Sequence, residues 1–127
     1  PAPVIRRAAQ PARAGAIWYG STGAAMAESL AALAKEGIHL DQMRIRAFPF
    51  ADAVPEFVAE HDHVFVVEQN RDAQLKMLLV NECGIDPQKL VSILHYDGNP
   101  LTERFVTREI AEKARLFNVT PLRKVAR

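Results

Sequence analysis

A chain of 127 residues is long enough for one domain and short for two, so we predict a single domain over residues 1–127. Its composition, 49% hydrophobic and 24% charged, excludes a disordered chain. The single cysteine, Cys83, excludes an internal disulfide framework and any cysteine-clustered zinc or iron–sulfur site. No apolar run approaches the roughly 20 residues that span a bilayer, so we expect no membrane association and a cytoplasmic location.

The charge distribution argues against a nucleic-acid partner. The formal net charge is +1, but six of the sixteen basic residues lie in the two tails. Residues 15–120 therefore carry ten basic residues against fifteen acidic ones. Because nucleic-acid-binding domains concentrate positive charge on their folded surface, an acidic body predicts that this chain does not bind nucleic acid.

Four strand–loop–helix units follow one another along the chain. The predicted strands are residues 15–20, a strand around residues 42–48, residues 63–68 and residues 90–94. Residues 63–68 (HVFVVE) are continuously apolar until the final glutamate, which is typical of a strand buried on both faces. Residues 4–8 are a weaker candidate for an additional edge strand, because prolines surround them.

The helices between these strands are predicted from apolar residues at three- and four-residue spacing. The first helix ends at Gly37, the third ends at Gly84, and Thr102 is placed to cap the fourth. The predicted inward positions of the last three helices are Val54, Phe57, Val58, Leu75, Leu78, Leu79, Val106, Ile110 and Ala114. Strands that alternate with helices predict an α/β fold, a three-layer α/β/α sandwich around a mostly parallel sheet.

The first candidate site is the loop between the first strand and its helix. Ligands of open α/β sheets bind beyond the carboxyl ends of the strands, where the strand order reverses. Ser21 and Thr22 lie there beside a predicted helix N-terminus, which can hold a phosphate or a carboxylate. Either hydroxyl can instead cap the helix. We favour the cap, because the glycine-rich dinucleotide and phosphate-loop motifs are both absent.

The second candidate site is the polar segment after the third strand, together with the loop after the fourth. Glu68 and His95 can form a general acid/base pair, because a carboxylate beside an imidazole shifts the imidazole pKa. The alternative is an ion pair between Glu68 and Arg71, with Asn70 or Asp72 capping the next helix. We favour the alternative, because polar strand ends usually satisfy one another.

A third group, residues 61–63 (HDH), has metal-ligand residue types but consecutive side chains that diverge. Three divergent neighbours do not close around one ion, and no further ligand is evident in the sequence. We therefore predict no metal site in this chain.

Four segments resemble a known family when they are taken together. They are IWYGST (residues 17–22), RIRAFPF (44–50), VFVVEQNRDAQL (64–75) and LHYDG (94–98). In this order and spacing the chain resembles the carboxyl-terminal domain of the α subunit of 2-oxoacid:ferredoxin oxidoreductases, and most of all the 2-oxoglutarate type. This is the transketolase C-terminal-like domain. The resemblance covers nearly the whole chain, and VVEQNRDAQL is its most specific part.

The resemblance implies a fold and a place for the site. It implies a five-stranded sheet of order 1-3-2-4-5, with strand 1 antiparallel at one edge and formed near residues 4–8. Residues 1–127 are then the carboxyl-terminal fragment of a longer subunit. The loops at residues 20–23 and 68–72 flank the switch point, and His95 and Asp97 lie next to them. Glu68, Gln69, Asn70 and Arg71 form a motif for a ligand or a subunit interface.

The resemblance also implies an activity for the parent enzyme, the oxidative decarboxylation of a 2-oxoacid with coenzyme A to acyl-CoA, carbon dioxide and reduced ferredoxin. Thiamine diphosphate, Mg and an iron–sulfur cluster serve that reaction, and their sites lie largely in a partner β subunit. The resemblance implies no catalytic residue and no bound cofactor in this chain.

We therefore expect a domain that is inactive alone and serves as architecture and interface. Its partners are the rest of the α subunit and the β subunit, and an uncovered apolar patch would allow the fragment to form a homodimer. The alternative hypothesis is a standalone α/β module that binds a small anionic metabolite at residues 21–23.

Overall fold

The computed structural model describes residues 1–20 and 23–117. The strands are β1 (Val4–Arg6), β2 (Ala14–Tyr19), β3 (Leu40–Ile45), β4 (His63–Glu68) and β5 (Leu90–Leu94). The helices are α1 (Gly23–Lys35), α2 (Ala53–Ala59), α3 (Gln74–Cys83) and α4 (Glu103–Leu116), with a short 3-10 turn at Pro87–Lys89. None of these helices is long and apolar enough to cross a bilayer.

The strands form one mixed sheet of order β1-β3-β2-β4-β5. Strand β1 is antiparallel to β3, and the other neighbouring pairs are parallel. The predicted α/β fold, strand order and antiparallel edge strand are therefore confirmed. From β2 the chain moves to β3 on one side and then returns to β4 on the other, so the strand order reverses between β2 and β4.

Helices cover both faces of the sheet. Helices α1 and α4 pack on one face, and α2 and α3 pack on the other, so each face has its own buried apolar cluster. The predicted inward residues of α2 and α4 are all buried. In α3, Leu75 and Leu79 are buried, but the prediction for Leu78 is wrong, because its side chain is 40% exposed. Leu78 lies at the rim of a cleft rather than under the helix.

Three predicted strands have other boundaries in the structure, and one of them is β2, which covers Ala14–Tyr19 rather than residues 15–20. Strand β3 covers Leu40–Ile45 rather than residues 42–48, and β1 stops at Arg6. The predicted strand extended through Phe48, but Pro49 follows and lacks the amide hydrogen that a central strand needs. Strands β4 and β5 have the predicted boundaries.

Candidate functional site at the sheet switch point

A cleft of about 350 Å³ opens where the strand order reverses. We call it the switch-point cleft, and it is lined by Tyr19, Val67, Glu68, Gln69, Asn70, Gln74, Leu75, Leu78 and Leu101. Its volume is near the lower end of ordinary small-molecule sites. Three of the predicted site residues, Glu68, Gln69 and Asn70, line it. The carboxyl ends of β2 and β4 and the first turn of α3 bring these residues together.

Glu68 is buried, and its carboxylate is occupied by the start of helix α3. Its Oε1 accepts a hydrogen bond from the Leu75 amide at 2.7 Å, and its Oε2 accepts one from the Lys76 amide at 3.0 Å. These amides belong to the first turn of α3, which has no intrahelical acceptors for them. A carboxylate there also interacts favourably with the helix dipole. Glu68 thus fixes the direction in which α3 leaves the sheet.

Asn70 completes this cap from the intervening loop. Its Nδ2 donates to Glu68 Oε1 at 2.9 Å, and its Oδ1 accepts from the Gln74 amide at 3.2 Å. The residue just before the helix, Ala73, has a left-handed backbone (φ 53°) and no side-chain acceptor. The predicted capping of this helix by Asn70 is therefore confirmed, and Glu68 caps the same helix.

The predicted acid/base pair of Glu68 and His95 does not form. In the β4–β5 register Glu68 lies opposite Leu94, so His95, one residue later, points to the other face of the sheet. The His95 ring packs edge-on against Phe105 at 4.9 Å and places Nε2 3.3 Å from Asp97 Oδ1. The His95 amide does reach Glu68, but it donates to the backbone carbonyl.

The predicted ion pair between Glu68 and Arg71 does not form either. Arg71 is exposed, and its Nε lies 3.6 Å from Asp72 in a solvent-facing contact. The cap by two backbone amides already satisfies the Glu68 carboxylate, so the arginine is not needed there. Gln69 is exposed at the mouth of the cleft.

Asp97 stabilises a turn rather than the cleft. Its Oδ1 accepts from the Asn99 amide at 3.0 Å. This backbone hydrogen bond, assisted by the neighbouring imidazole of His95, lowers the pKa of the exposed Asp97 carboxyl below its ordinary value. Asp97 does not line the switch-point cleft.

Ser21 and Thr22 lie outside the described residues, so both predictions made for them, helix cap and anion site, stay predictions. The described residues on either side are Gly20 and Gly23. Gly20 directly follows β2 and has a positive φ of 89°, and Gly23 begins α1.

The amino-terminal ends of the strands carry a second buried polar group that the sequence analysis missed. Asp41, on β3, accepts from His61 Nε2 at 2.8 Å, from Arg7 Nη1 at 3.2 Å and from the Ala8 amide at 2.8 Å. Burial opposes ionisation of Asp41, but these donors together outweigh it, so the pKa of the carboxyl is lowered. The sequence drew attention to His61 only as a member of residues 61–63, and Asp41 lies just before the predicted strand at residues 42–48.

His61 is held between two acceptors in this network. Its Nδ1 lies 2.7 Å from the Phe57 carbonyl, and its Nε2 faces the Asp41 carboxylate. The ring therefore connects the end of helix α2 to strand β3. Among residues 1–20 and 23–117 no group of three His, Cys, Asp or Glu side chains is placed to hold a metal ion.

The donor set of this chain does not fit the cofactors that the resemblance implies for the parent enzyme. An iron–sulfur cluster needs several cysteine thiolates, and the sequence has only Cys83. Burial raises the pKa of that thiol, which keeps it protonated. A magnesium diphosphate needs clustered carboxylate or carbonyl ligands, and the carboxylate of the switch-point cleft is engaged by helix amides.

Comparisons with known proteins point to one group of enzymes. No protein-family model and no curated protein matches the chain. A solved structure of 2-oxoglutarate:ferredoxin oxidoreductase from Magnetococcus marinus, with 2-oxoglutarate, coenzyme A and succinyl-CoA bound, matches 87% of this chain with a TM-score of 0.75 and 25% identity. This match covers 19% of that chain.

A second solved structure is nearly the same size as this chain. The alpha chain of a probable 2-oxoacid ferredoxin oxidoreductase from Thermoplasma acidophilum matches 90% of this chain, with a TM-score of 0.59 and 24% identity. Here 97% of the other chain is covered, so the domain accounts for almost all of it. Both structures confirm the resemblance predicted from the four sequence segments. The chain therefore has the fold of a domain that 2-oxoacid:ferredoxin oxidoreductases contain.

Proposed function

We propose that this chain is the structural and subunit-interface domain of a thiamine-dependent 2-oxoacid:ferredoxin oxidoreductase. The parent reaction is the oxidative decarboxylation of a 2-oxoacid, 2-oxoglutarate in our proposal, with coenzyme A to acyl-CoA, carbon dioxide and reduced ferredoxin. The observation that carries the proposal is the match over 87% of the chain to an enzyme of this activity. We place the domain in the cytoplasm, within a larger assembly.

The polar groups at the switch point support a structural role for the domain. Glu68 and Asn70 are engaged in capping α3, and the imidazole of His95 lies on the opposite face of the sheet from the Glu68 carboxylate. A general acid or base must be within reach of a substrate proton, and a carboxylate held by two backbone amides is not available for that. We therefore place the thiamine diphosphate, magnesium and iron–sulfur sites in other parts of the enzyme.

The exposed apolar residues around the switch-point cleft support an interface role. Tyr19 is 47% exposed and Leu78 is 40% exposed, and both line the cleft beside Gln69. Exposed aromatic and aliphatic side chains around a small cleft are typical of protein–protein contacts. We propose that the rest of the oxidoreductase covers this surface, since the comparable domain makes up only 19% of the M. marinus chain.

The test isolates the chain with its partners from source cells. A tagged copy should co-purify with an iron–sulfur subunit that mass spectrometry identifies. The size of the native polypeptide alone does not decide the question, because a T. acidophilum alpha chain consists almost entirely of this domain. Recovery of the chain without any iron–sulfur partner would contradict the proposal.

Two variants locate the interface. Leu78→Arg should abolish co-purification of the partner, because it places a charge at the rim of the cleft. Met77→Arg, on the same helix and 57% exposed but outside the cleft, is the matched control and should retain the partner. Equal recovery with the two variants would place the interface elsewhere. Both variants should keep the melting temperature of the wild type, because neither residue is buried.

The isolated chain should not bind thiamine diphosphate. Among residues 1–20 and 23–117, no group of three His, Cys, Asp or Glu side chains is placed to hold the magnesium ion of the diphosphate. Isothermal titration calorimetry of the 127-residue chain with thiamine diphosphate and Mg²⁺ tests this. A micromolar dissociation constant would show that the cofactor site lies in this chain and would overturn the division of roles proposed here.

A further inference from the structure

A second, larger cleft of about 650 Å³ lies between helix α1 and the outer strands β1 and β3. We call it the edge cleft. It is separate from the switch-point cleft, and the two share no lining residue. Its volume is within the range of small-molecule sites. Among the described residues, Gly23 is the one member of the candidate sites predicted from the sequence that lines it.

The strand register determines which side chains form its floor. Arg44 on β3 lies opposite Val4 on β1 and opposite Trp18 on β2, so these three side chains share one row on one face. Arg6 and Gln42 pair two residues further along the strands and therefore face the same side. Arg6 and Arg44 are thus diagonal neighbours on one open face, roughly 7 Å apart at their β-carbons.

The opposite wall is helix α1, which presents small residues. Ala27, Ala31 and Ala34 line the cleft at three- and four-residue spacing, and Gly23 lies at the start of the helix. Short side chains leave space between the helix and the sheet edge, and they make that wall apolar. The cleft therefore has a basic floor and an apolar wall.

The acidic and basic side chains that line the edge cleft are all basic. Arg6, Arg7 and Arg44 line the cleft, and none of its lining residues is an aspartate or a glutamate. Arg7 is paired with Asp41 and Glu60. Within the described chain, Arg6 and Arg44 make no ion pair, and Arg44 uses one donor on the Gly20 carbonyl at 3.3 Å. Two guanidinium groups with unused donors in a concave site attract an anion.

Trp18 adds an independent observation. Its side chain is 4% exposed and lines the edge cleft, and its indole Nε1 is buried without a hydrogen-bond partner among the described residues. A buried donor without an acceptor costs about 1 to 3 kcal/mol. Buried tryptophans usually find a partner for this group, and an unpartnered one next to a basic cleft indicates a missing acceptor.

We propose that the edge cleft binds a phosphorylated organic molecule of about nucleotide size. The phosphates lie on Arg6 and Arg44, the apolar part lies against the alanines of α1, and an acceptor of the ligand approaches the Trp18 indole. This site goes beyond the proposed interface function and does not depend on it. Gly23 of the anion site considered for residues 21–23 also lines it, but the strands β1 and β3 supply the positive charge of the edge cleft.

The test uses the fact that the chain contains a single tryptophan. In a ¹⁵N-labelled sample the indole N–H of Trp18 gives one cross-peak, which reports directly on the floor of the cleft. The probe is ADP, titrated to millimolar concentration at constant ionic strength. We expect a saturable shift of the indole cross-peak, together with shifts of the β1 and β3 amides.

Matched variants identify the cations. Arg44→Gln and Arg6→Gln should each weaken ADP binding by about tenfold, because each removes charge-assisted hydrogen bonds to phosphate. Arg104→Gln, an exposed arginine on α4 outside the cleft, is the control and should bind like the wild type. The amide spectra of all three variants should retain the dispersion of the folded chain. If Arg44→Gln unfolds, Arg6→Gln still tests the proposal, because Arg6 is exposed.

Three results would overturn the proposal. The first is an indole cross-peak that does not move with ADP. The second is a shift that grows linearly without saturation, which indicates only weak general attraction. The third is equal binding by Arg6→Gln, Arg44→Gln and Arg104→Gln. Loss of the iron–sulfur partner in the co-purification experiment would leave this binding test unaffected, so the two proposals fail separately.

Discussion

A carboxylate is buried at each end of the parallel strands, and the two carboxylates have different kinds of hydrogen-bond donors. At the carboxyl end, Glu68 accepts from backbone amides seven and eight residues further along the chain. At the amino end, Asp41 accepts from His61 and Arg7, which are 20 and 34 residues away. The first arrangement joins a strand to its own following helix. The second joins β1, β3 and the end of α2, elements that are distant in sequence.

The Glu68 contacts cap a helix, whereas the Asp41 contacts cross-link elements that are distant in sequence. The Glu68 cap can form as soon as α3 folds next to β4, because all its partners are local. The Asp41 network forms only when the sheet has its final order, so it makes the antiparallel edge strand depend on the rest of the fold. Both carboxylates are engaged by protein donors, as expected for the proposed structural role.

The largest effect is expected from breaking the amino-end network. His61→Leu removes the side chain that contacts both the buried Asp41 carboxylate and the Phe57 carbonyl. We expect a loss of about 3 kcal/mol in the free energy of unfolding, measured by urea denaturation. The control is Asp62→Ala, which breaks only an exposed ion pair with Arg13 and should cost less than about 1 kcal/mol. Similar losses for both variants would show that the network does not hold the fold.

A smaller loss is expected at the carboxyl end. Glu68→Ala leaves the Leu75 and Lys76 amides of α3 without acceptors. We expect a loss of about 2 kcal/mol in the free energy of unfolding, with faster hydrogen exchange confined to the first turn of α3. Asp72→Ala, an exposed neighbour that makes no cap, should leave both quantities unchanged. Unchanged exchange in Glu68→Ala would mean that the helix start does not depend on this carboxylate.

The free energy of unfolding, measured as the pH is lowered, tests the role of Asp41. Its pKa is lowered from the ordinary value of 3.8 in the folded chain, so its ionised form stabilises the fold. The contribution is fully present above 3.8 and is lost as the pH falls through the lower folded value. The difference in unfolding free energy between wild type and Asp41→Asn should therefore be constant at neutral pH and shrink in acid. A difference that grows in acid would contradict the assignment.

The smallest effect is expected at Asp97. Asp97→Ala removes an acceptor for the Asn99 amide in an exposed turn, and water can replace it. The melting temperature should stay within the error of the wild type. In the proposed parent enzyme this variant should also keep the wild-type rate of 2-oxoacid-dependent ferredoxin reduction. A large loss of rate would show that His95 and Asp97 act in the reaction.

The sequence predicted those parts of the fold that depend on local pattern. Strands His63–Glu68 and Leu90–Leu94 were predicted with their boundaries, because continuous apolar runs between polar ends are strong signals. The boundary of β3 was wrong, because the apolar residues before Pro49 extend the pattern beyond the pairing that the sheet allows. The strand order was predicted only through the resemblance to a family.

The site was predicted less well, and the reason is geometric. The sequence located Glu68 and Asn70 at the switch point, but it could not show that one residue of register separates the faces on which Glu68 and His95 lie. The edge cleft was missed, because Arg6 and Arg44 become neighbours only through the pairing of β1 with β3. Contacts between distant strands need the register, and composition and spacing do not provide it.

The most direct test of the proposed function is immunodepletion of this chain from an extract of its source cells. We predict that an antibody against the chain removes 2-oxoglutarate- and coenzyme A-dependent reduction of ferredoxin together with the protein, while an unrelated dehydrogenase stays in the extract. Full ferredoxin-linked activity in an extract that has lost the chain would contradict its assignment to this enzyme.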